Sequence, residues 1–166
     1  MALDKLIYPV VTFEPVITEK QRRMDQLYMD IAFRVADESH DPRRRVGAVL
    51  VRDGTILSYG WNGTPAGHDN NCVEYKLTST DGVLHLKAES PRKVIHAEMN
   101  LLAKLTRSNL DARGATVYCT DQCCEFCSPF LAQTRIKEFV YAKPYRDTKG
   151  IDDLKAAGIT VREIHA

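Results

Sequence analysis

The stretch that decides the fold is HAEMNLLAKLTRSNLDARGATVYCTDQCCEFCSPFLAQ, residues 96–133. It reads as helix, strand, helix. Met99, Leu102, Ala103 and Leu105 lie on or near one face of a helix from His96 to Thr106. Thr116 to Cys119 is a short strand, and Cys124 to Gln133 a second helix. Downstream the alternation continues. Phe139-Val140-Tyr141 is a strand, and Ile151 to Ala157 is a helix stopped by Gly158, a residue type common just past helix ends. Ile159-Thr160-Val161 closes as a strand.

Upstream, Thr18-Glu19-Lys20-Gln21 reads as a capping box, with Thr18 at the N-cap and Gln21 three residues on. Met24, Leu27, Tyr28, Ile31 and Val35 follow at helical spacing, and Pro42 ends that helix near Ser39. Val46–Val51 and Ile56–Gly60 flank Asp53-Gly54, which predicts a hairpin. Residues 61–71 are a Gly/Asn/Pro-rich loop. Residues 72–93 are mostly polar without a clear period and read as a long insertion, and residues 1–17 as an irregular N-terminal arm. A hairpin followed by alternating helices and strands predicts one domain over 1–166. Its expected form is a three-layer α/β/α sandwich on a mixed five-stranded sheet.

Composition narrows the function classes. Apolar residues make up 44% and charged residues 27% of the 166, an ordinary globular balance. The net charge of +1 advertises no polyanion, so neither a nucleic-acid nor a membrane partner is expected. The first residues, MALDKLIYPVV, are broken by Asp4, Lys5 and Pro9 and do not form a secretion signal. No run reaches the ~20 apolar residues of a membrane span. A cytoplasmic protein is expected. Four of the five cysteines fall between Cys119 and Cys127, a clustering that suits metal or redox work better than a disulfide framework.

The cluster has metal-ligand spacing. His96-Ala97-Glu98 and Cys124-Glu125-Phe126-Cys127 each open an expected helix, where i and i+3 share a face and the positive end of the backbone dipole favours thiolate. One histidine and two cysteines make three zinc ligands and leave the fourth place for water, the mark of a catalytic site. Glu98, two residues from His96, is positioned to take that water's proton. Either half alone is weak evidence, since a His-x-Glu is usually filler and a lone CxxC serves redox and structural sites as well. Together they form the signature of zinc nucleobase deaminases, in which a glutamate shuttles protons for attack on the base. Cys119 and Cys123 are alternative ligands, although Cys119 reads better as a small buried residue. So does Cys72, with a second zinc shared with His40 or His85 as the other use.

From about Met24 to Ile164 the chain resembles the deoxycytidylate deaminases of the cytidine-deaminase superfamily. The resemblance rests on Ser39-x-Asp41-Pro42, Val46-Gly47-Ala48-Val49, Trp61 to Gly67, His96 to Asn100, the Cys124/Cys127 pair and Tyr145. It implies hydrolysis of dCMP to dUMP for thymidylate synthesis. It further implies that Asn62 bonds the deoxyribose, Ala48 lies under the base, Arg43 with Ser39 holds the 5′-phosphate, and Tyr145 closes over the nucleotide and reaches its phosphate. Family members are commonly hexamers activated by dCTP and inhibited by dTTP, with Mg²⁺ on the triphosphate. By position Gly63, Thr64, Gly67, Asn71, Glu74 and Arg107 are candidates for that effector site. Cys123 stands where the family usually has proline, and Trp61 where it often has tyrosine. Two competing readings remain. A deaminase acting on adenosine in tRNA would need a basic groove with aromatic platforms. A catalytically dead zinc-containing nucleotide sensor would have no use for Glu98.

Overall fold

The computed structural model describes residues 17–145 and 147–165, so all but residue 17 of the expected N-terminal arm lies outside the described residues. Helix α1 (Glu19–Ala36) starts at its cap, with the Thr18 hydroxyl accepting the Gln21 amide at 3.1 Å. The reciprocal half of the capping box is not made, because the Gln21 side chain donates to Asp25 at 2.8 Å instead. The helix stops at Ala36, three residues short of Ser39.

Strands β1 (Gly47–Arg52) and β2 (Thr55–Trp61) form the expected hairpin. Asp53 and Gly54, with φ of 51° and 77°, form the two-residue turn that matches strand twist. Residues 72–93 depart from expectation. They form a regular antiparallel hairpin of β3 (Glu74–Thr80) and β4 (Val83–Glu89), which among the described residues pair only with each other. Its turn, Asp81-Gly82 at φ 53° and 76°, repeats the first one. Tyr75, Leu77, Leu84 and Leu86 alternate with polar residues along it and remain exposed.

The chain then supplies α2 (Ala97–Leu105), β5 (Thr116–Asp121), α3 (Ser128–Gln133), β6 (Glu138–Lys143), α4 (Lys149–Ala156) and β7 (Thr160–Glu163). The main sheet runs β2-β1-β5-β6-β7, antiparallel on its first side and parallel from β5 to β7. Side chains of successive strand residues point to opposite faces. Val49, Val51, Tyr118 and Val140 therefore pack with Tyr28, Met29 and Ala32 of α1. Ala48, Leu50, Val117, Cys119 and Phe139 pack on the other face, with residues of α2, α3 and α4. The layers are α1, the mixed sheet, and the other three helices, as the alternation predicted.

Two close approaches between the first hairpin and the helices require glycine. A Cβ on Gly47 would stand 2.1 Å from the Ala32 carbonyl of α1, and one on Gly60 would stand 2.4 Å from the Ala97 carbonyl of α2. The second contact seats the start of α2 directly on β2, which sets where His96 and Glu98 lie.

Candidate active site

The site lies at the carboxyl end of β5, where open α/β sheets commonly bind ligands. His96 is the N-cap of α2, extended at ψ 157°. The preceding residue is tied down by a two-residue bridge, Gly63 N to Ile95 O at 3.0 Å and Ile95 N to Gly63 O at 2.8 Å. Asn100 donates its side-chain amide to the Trp61 carbonyl at 2.8 Å, so the Trp61–Gly67 loop holds the first turn of α2 from two sides.

Cys124 and Cys127 lie on a turn, not in a helix as their spacing suggested. Cys127 N donates to Cys124 O at 3.1 Å, and α3 begins only at Ser128, followed by Pro129. Proline suits a first helical turn, and that delays the helix until after both ligands. The turn still brings the sulfurs together. Cys124 Sγ and Cys127 Sγ lie 3.3 and 3.4 Å from His96 Nδ1, and the three donor atoms fall within 4.8 Å of one another. Ligand bonds of 2.0–2.3 Å in a tetrahedron put S and N about 3.5 Å apart, so the set fits zinc with one place left over. Among the described residues this is the one such cluster. Cys72, Cys119 and Cys123 are buried and take no part in it.

The electrostatics suit a cation. A hydrogen bond from Cys127, opposed by burial and helped by His96, pulls the Cys124 thiol down to about 4. Cys127 is shifted upward by the same bond and by burial. Glu98, in the first turn of α2, is 4% exposed. Burial raises its pKa to about 7 against the pull of its own backbone N–H, with the Cys124 charge pushing the same way as burial and His96 opposing it. A carboxyl poised there can give or take a proton at neutral pH.

His96, Glu98 and Cys124 open onto a cavity of about 640 Å³, while Cys127 is buried and does not line it. It is also lined by Arg43, Asn62 and Tyr145 of the expected site residues. The Asn62 amide is partly committed, accepting from Val46 N and donating to Arg44 O, each at 2.8 Å, which leaves one lone pair and one hydrogen. Ala48 is fully buried within β1, and neither it nor Ser39 lines the cavity. The Ser39 hydroxyl donates to Asn62 O at 2.8 Å and accepts from Asp41 N at 3.2 Å, so it serves the loop. Of the effector candidates, Gly63, Thr64, Gly67 and Asn71 lie on the 61–73 loop and Glu74 opens β3. Arg107 instead lines a shallow depression with Ile56, Tyr59 and Lys104, which none of the others joins.

Several lining residues had no local signal in the sequence: Ser90, Asp121, Gln122 and Asp147. Gln122 accepts from Tyr145 N at 3.1 Å and donates to Asp147 O at 2.7 Å, which fixes the loop carrying Tyr145. Gly150 does similar work on the ligand turn. A Cβ there would stand 2.4 Å from Cys123 O and 2.5 Å from Cys124 C. Gly150→Ala is therefore expected to cost about 1–3 kcal/mol and to weaken zinc retention. Thermal melts with metal analysis after dialysis check this, and an unchanged melt with one zinc per chain would refute it.

The described helices include none long and apolar enough to cross a membrane. Residues 22–143 match the family described as the cytidine and deoxycytidylate deaminase zinc-binding region. A deoxycytidylate deaminase of Saccharomyces cerevisiae is 33% identical over 96% of this chain, which spans 53% of the yeast protein. One from Enterobacteria phage T4 is 33% identical over 80% of this chain and 86% of its own length. Among solved structures, the dCMP deaminase of cyanophage S-TIM5 in complex with dCMP and dUMP superposes with a TM-score of 0.74. It is 34% identical and covers 92% of this chain and all of its own.

Proposed function

We propose that this chain, which belongs to the cytidine and deoxycytidylate deaminase family, hydrolyses dCMP to dUMP and ammonia at the His96–Cys124–Cys127 centre. The observation that carries the reading is one cavity lined by two of the three zinc donors, His96 and Cys124, and by a buried glutamate poised near neutral pH, with Cys127 completing the donor set. The relatives' names and the nucleotides bound in the cyanophage structure support dCMP as the substrate.

His96, Cys124 and Cys127 hold the metal. When bound, zinc supplies the Lewis acidity that brings the pKa of a water to ~7. Glu98 takes the proton of the water that attacks C4 of the cytosine and passes it to ring N3. Its carboxyl then moves the second water proton to the exocyclic nitrogen, which leaves as ammonia. Burial serves both steps, because it keeps the Glu98 carboxyl able to hold a proton between them. Asn62, with its remaining donor and acceptor, is assigned to the sugar, and Tyr145 to closure over the nucleotide. Control by dCTP and dTTP, each with Mg²⁺, in a cytoplasmic hexamer belongs to the same reading. Its candidate residues are those of the 61–73 loop, Glu74 and Arg107.

The test is to incubate zinc-loaded protein with dCMP, deoxycytidine and a tRNA anticodon hairpin in parallel, with and without dCTP or dTTP plus Mg²⁺. Conversion of dCMP to dUMP is expected. Turnover of the hairpin alone would replace this reading with the tRNA one, and inertness toward all three would favour a sensor.

A further inference from the structure

Arg43 and Arg44 are neighbours in sequence, both line the cavity, and their side chains are committed differently. Arg43 reaches away to the base of the β3–β4 hairpin. Its Nη1 donates to Ala88 O at 3.0 Å, its Nη2 donates to Ser90 Oγ at 2.5 Å, and its Nε lies 3.8 Å from Asp41 Oδ1. All three nitrogens are thus engaged, two of them by the insertion. A phosphate could use this fork only by displacing the hairpin base.

Arg44 is held from behind. Its Nε donates to Asp121 Oδ2, and its guanidinium carbon lies 4.8 Å above the Tyr145 ring. Asp121 is nearly buried at the end of β5, and its other oxygen accepts from the Thr120 hydroxyl at 3.1 Å. One edge and one face of the guanidinium are therefore fixed. Neither Nη atom has a hydrogen-bond partner among the described residues. A planar fork with its terminal donors open is the arrangement that suits bidentate recognition of a phosphate. Apart from Glu98 at the zinc donors, the other carboxylates lining this cavity have partners of their own. Asp41 accepts the backbone N–H groups of Arg43 and Arg44, and Lys149 Nζ lies 3.4 Å from Glu125 and 3.9 Å from Asp147.

We propose that Arg44, not Arg43, is the residue that recognises the 5′-phosphate, with Asp121 and Tyr145 as the positioning residues that aim its fork. This rests on the nucleotide reading given above and changes its phosphate assignment. The insertion gives the division of labour a physical cause: by capturing Arg43 at Ala88 and Ser90, the hairpin leaves its neighbour to meet the anion.

The experiment measures binding of the product pair, dUMP and deoxyuridine, to zinc-loaded protein by calorimetry, together with KM and kcat for dCMP. Arg44→Met is expected to lower the dUMP-to-deoxyuridine affinity ratio by about 10- to 100-fold, the worth of a hydrogen bond to a charged group. KM for dCMP should rise by a similar factor, with much the smaller change in kcat. Asp121→Asn should move the same ratio in the same direction by less, and Arg43→Met should move it less than Arg44→Met does. A purely structural role for Asp121 would instead lower both affinities together and leave their ratio alone. If Arg43→Met collapses the ratio and Arg44→Met preserves it, the assignment is overturned. Wild-type protein that binds dUMP but turns over no dCMP would sink the proposed reaction while the affinity ratio still judged Arg44. Equal wild-type affinity for dUMP and deoxyuridine would overturn phosphate recognition itself.

Discussion

Zinc-loaded Glu98→Gln protein is expected to lose about 10²- to 10⁴-fold of its dCMP turnover, the usual worth of a positioned general acid–base. The substitution keeps the shape of a side chain that is 4% exposed and removes only its ability to carry a proton. Zinc content should be unchanged, because the substitution leaves the His96, Cys124 and Cys127 donor set intact. The pH profile gives an independent check. Burial raises the free carboxyl to about 7, with the Cys124 charge adding to the rise and His96 opposing it. The first proton transfer needs the carboxylate, so kcat/KM falls as pH drops through the Glu98 pKa. That acid limb lies at or below about 7, since the charge of bound zinc favours the carboxylate. Wild-type rates from a zinc-loaded Glu98→Gln protein would take Glu98 out of the proton path.

The second large effect concerns stability. Asp25 on α1 sits 3% exposed beneath the sheet. It accepts from both Arg162 terminal nitrogens, at 2.7 and 3.2 Å, and from the Tyr118 hydroxyl at 2.7 Å. Arg162 Nε donates to Glu138 at 2.6 Å. This network fastens α1 to β5, β6 and β7. Asp25→Ala leaves a phenol and both terminal nitrogens of a largely buried guanidinium without their carboxylate, with only the Nε pair to Glu138 remaining. Breaking a buried pair from one side costs about 3–5 kcal/mol. For a chain of this size that lowers the melting temperature by roughly 6–20 °C. Burial pushes the Asp25 carboxyl up, but the bonds from Arg162, Tyr118 and Gln21 outweigh it and hold its pKa below the ordinary value. A depressed folded pKa means the stabilisation is present above the unfolded carboxylate value of ~3.9. It is lost as pH falls through the folded value. Wild type and Asp25→Ala should therefore differ fully at pH 7 and converge below about pH 4. Urea titrations across that range decide the matter, and a difference that does not depend on pH would refute the ionic account.

Both predictions depend on groups that the sequence reveals unequally. His96, Glu98, Cys124 and Cys127 could be read directly, because metal chemistry restricts residue type and spacing so tightly that two short motifs suffice. The helix–strand alternation and the Asp53-Gly54 turn were equally legible, since periodicity and turn chemistry are local. The β3–β4 hairpin carried the same Asp-Gly signal at Asp81-Gly82 and an alternation of Tyr75 and Leu77 with Leu84 and Leu86. Reading the segment as polar on average hid both.

Other features lie beyond any local reading. That the ligand turn precedes its helix follows from where α3 begins and from Gly150 packing on the Cys123–Cys124 backbone. That Ser39 and Ala48 stay out of the cavity is a matter of burial. Asp25 and Arg162 meet across 137 positions, and Arg44 and Asp121 across 77. The layered fold and the pairing of His96 and Glu98 with Cys124 and Cys127 can be read from the chain alone, because each is encoded in spacing along it. The tertiary structure decided which arginine is left open to a ligand, which carboxylates are buried, and what holds the site's loops in place. Those depend on which distant segments the sheet brings into contact.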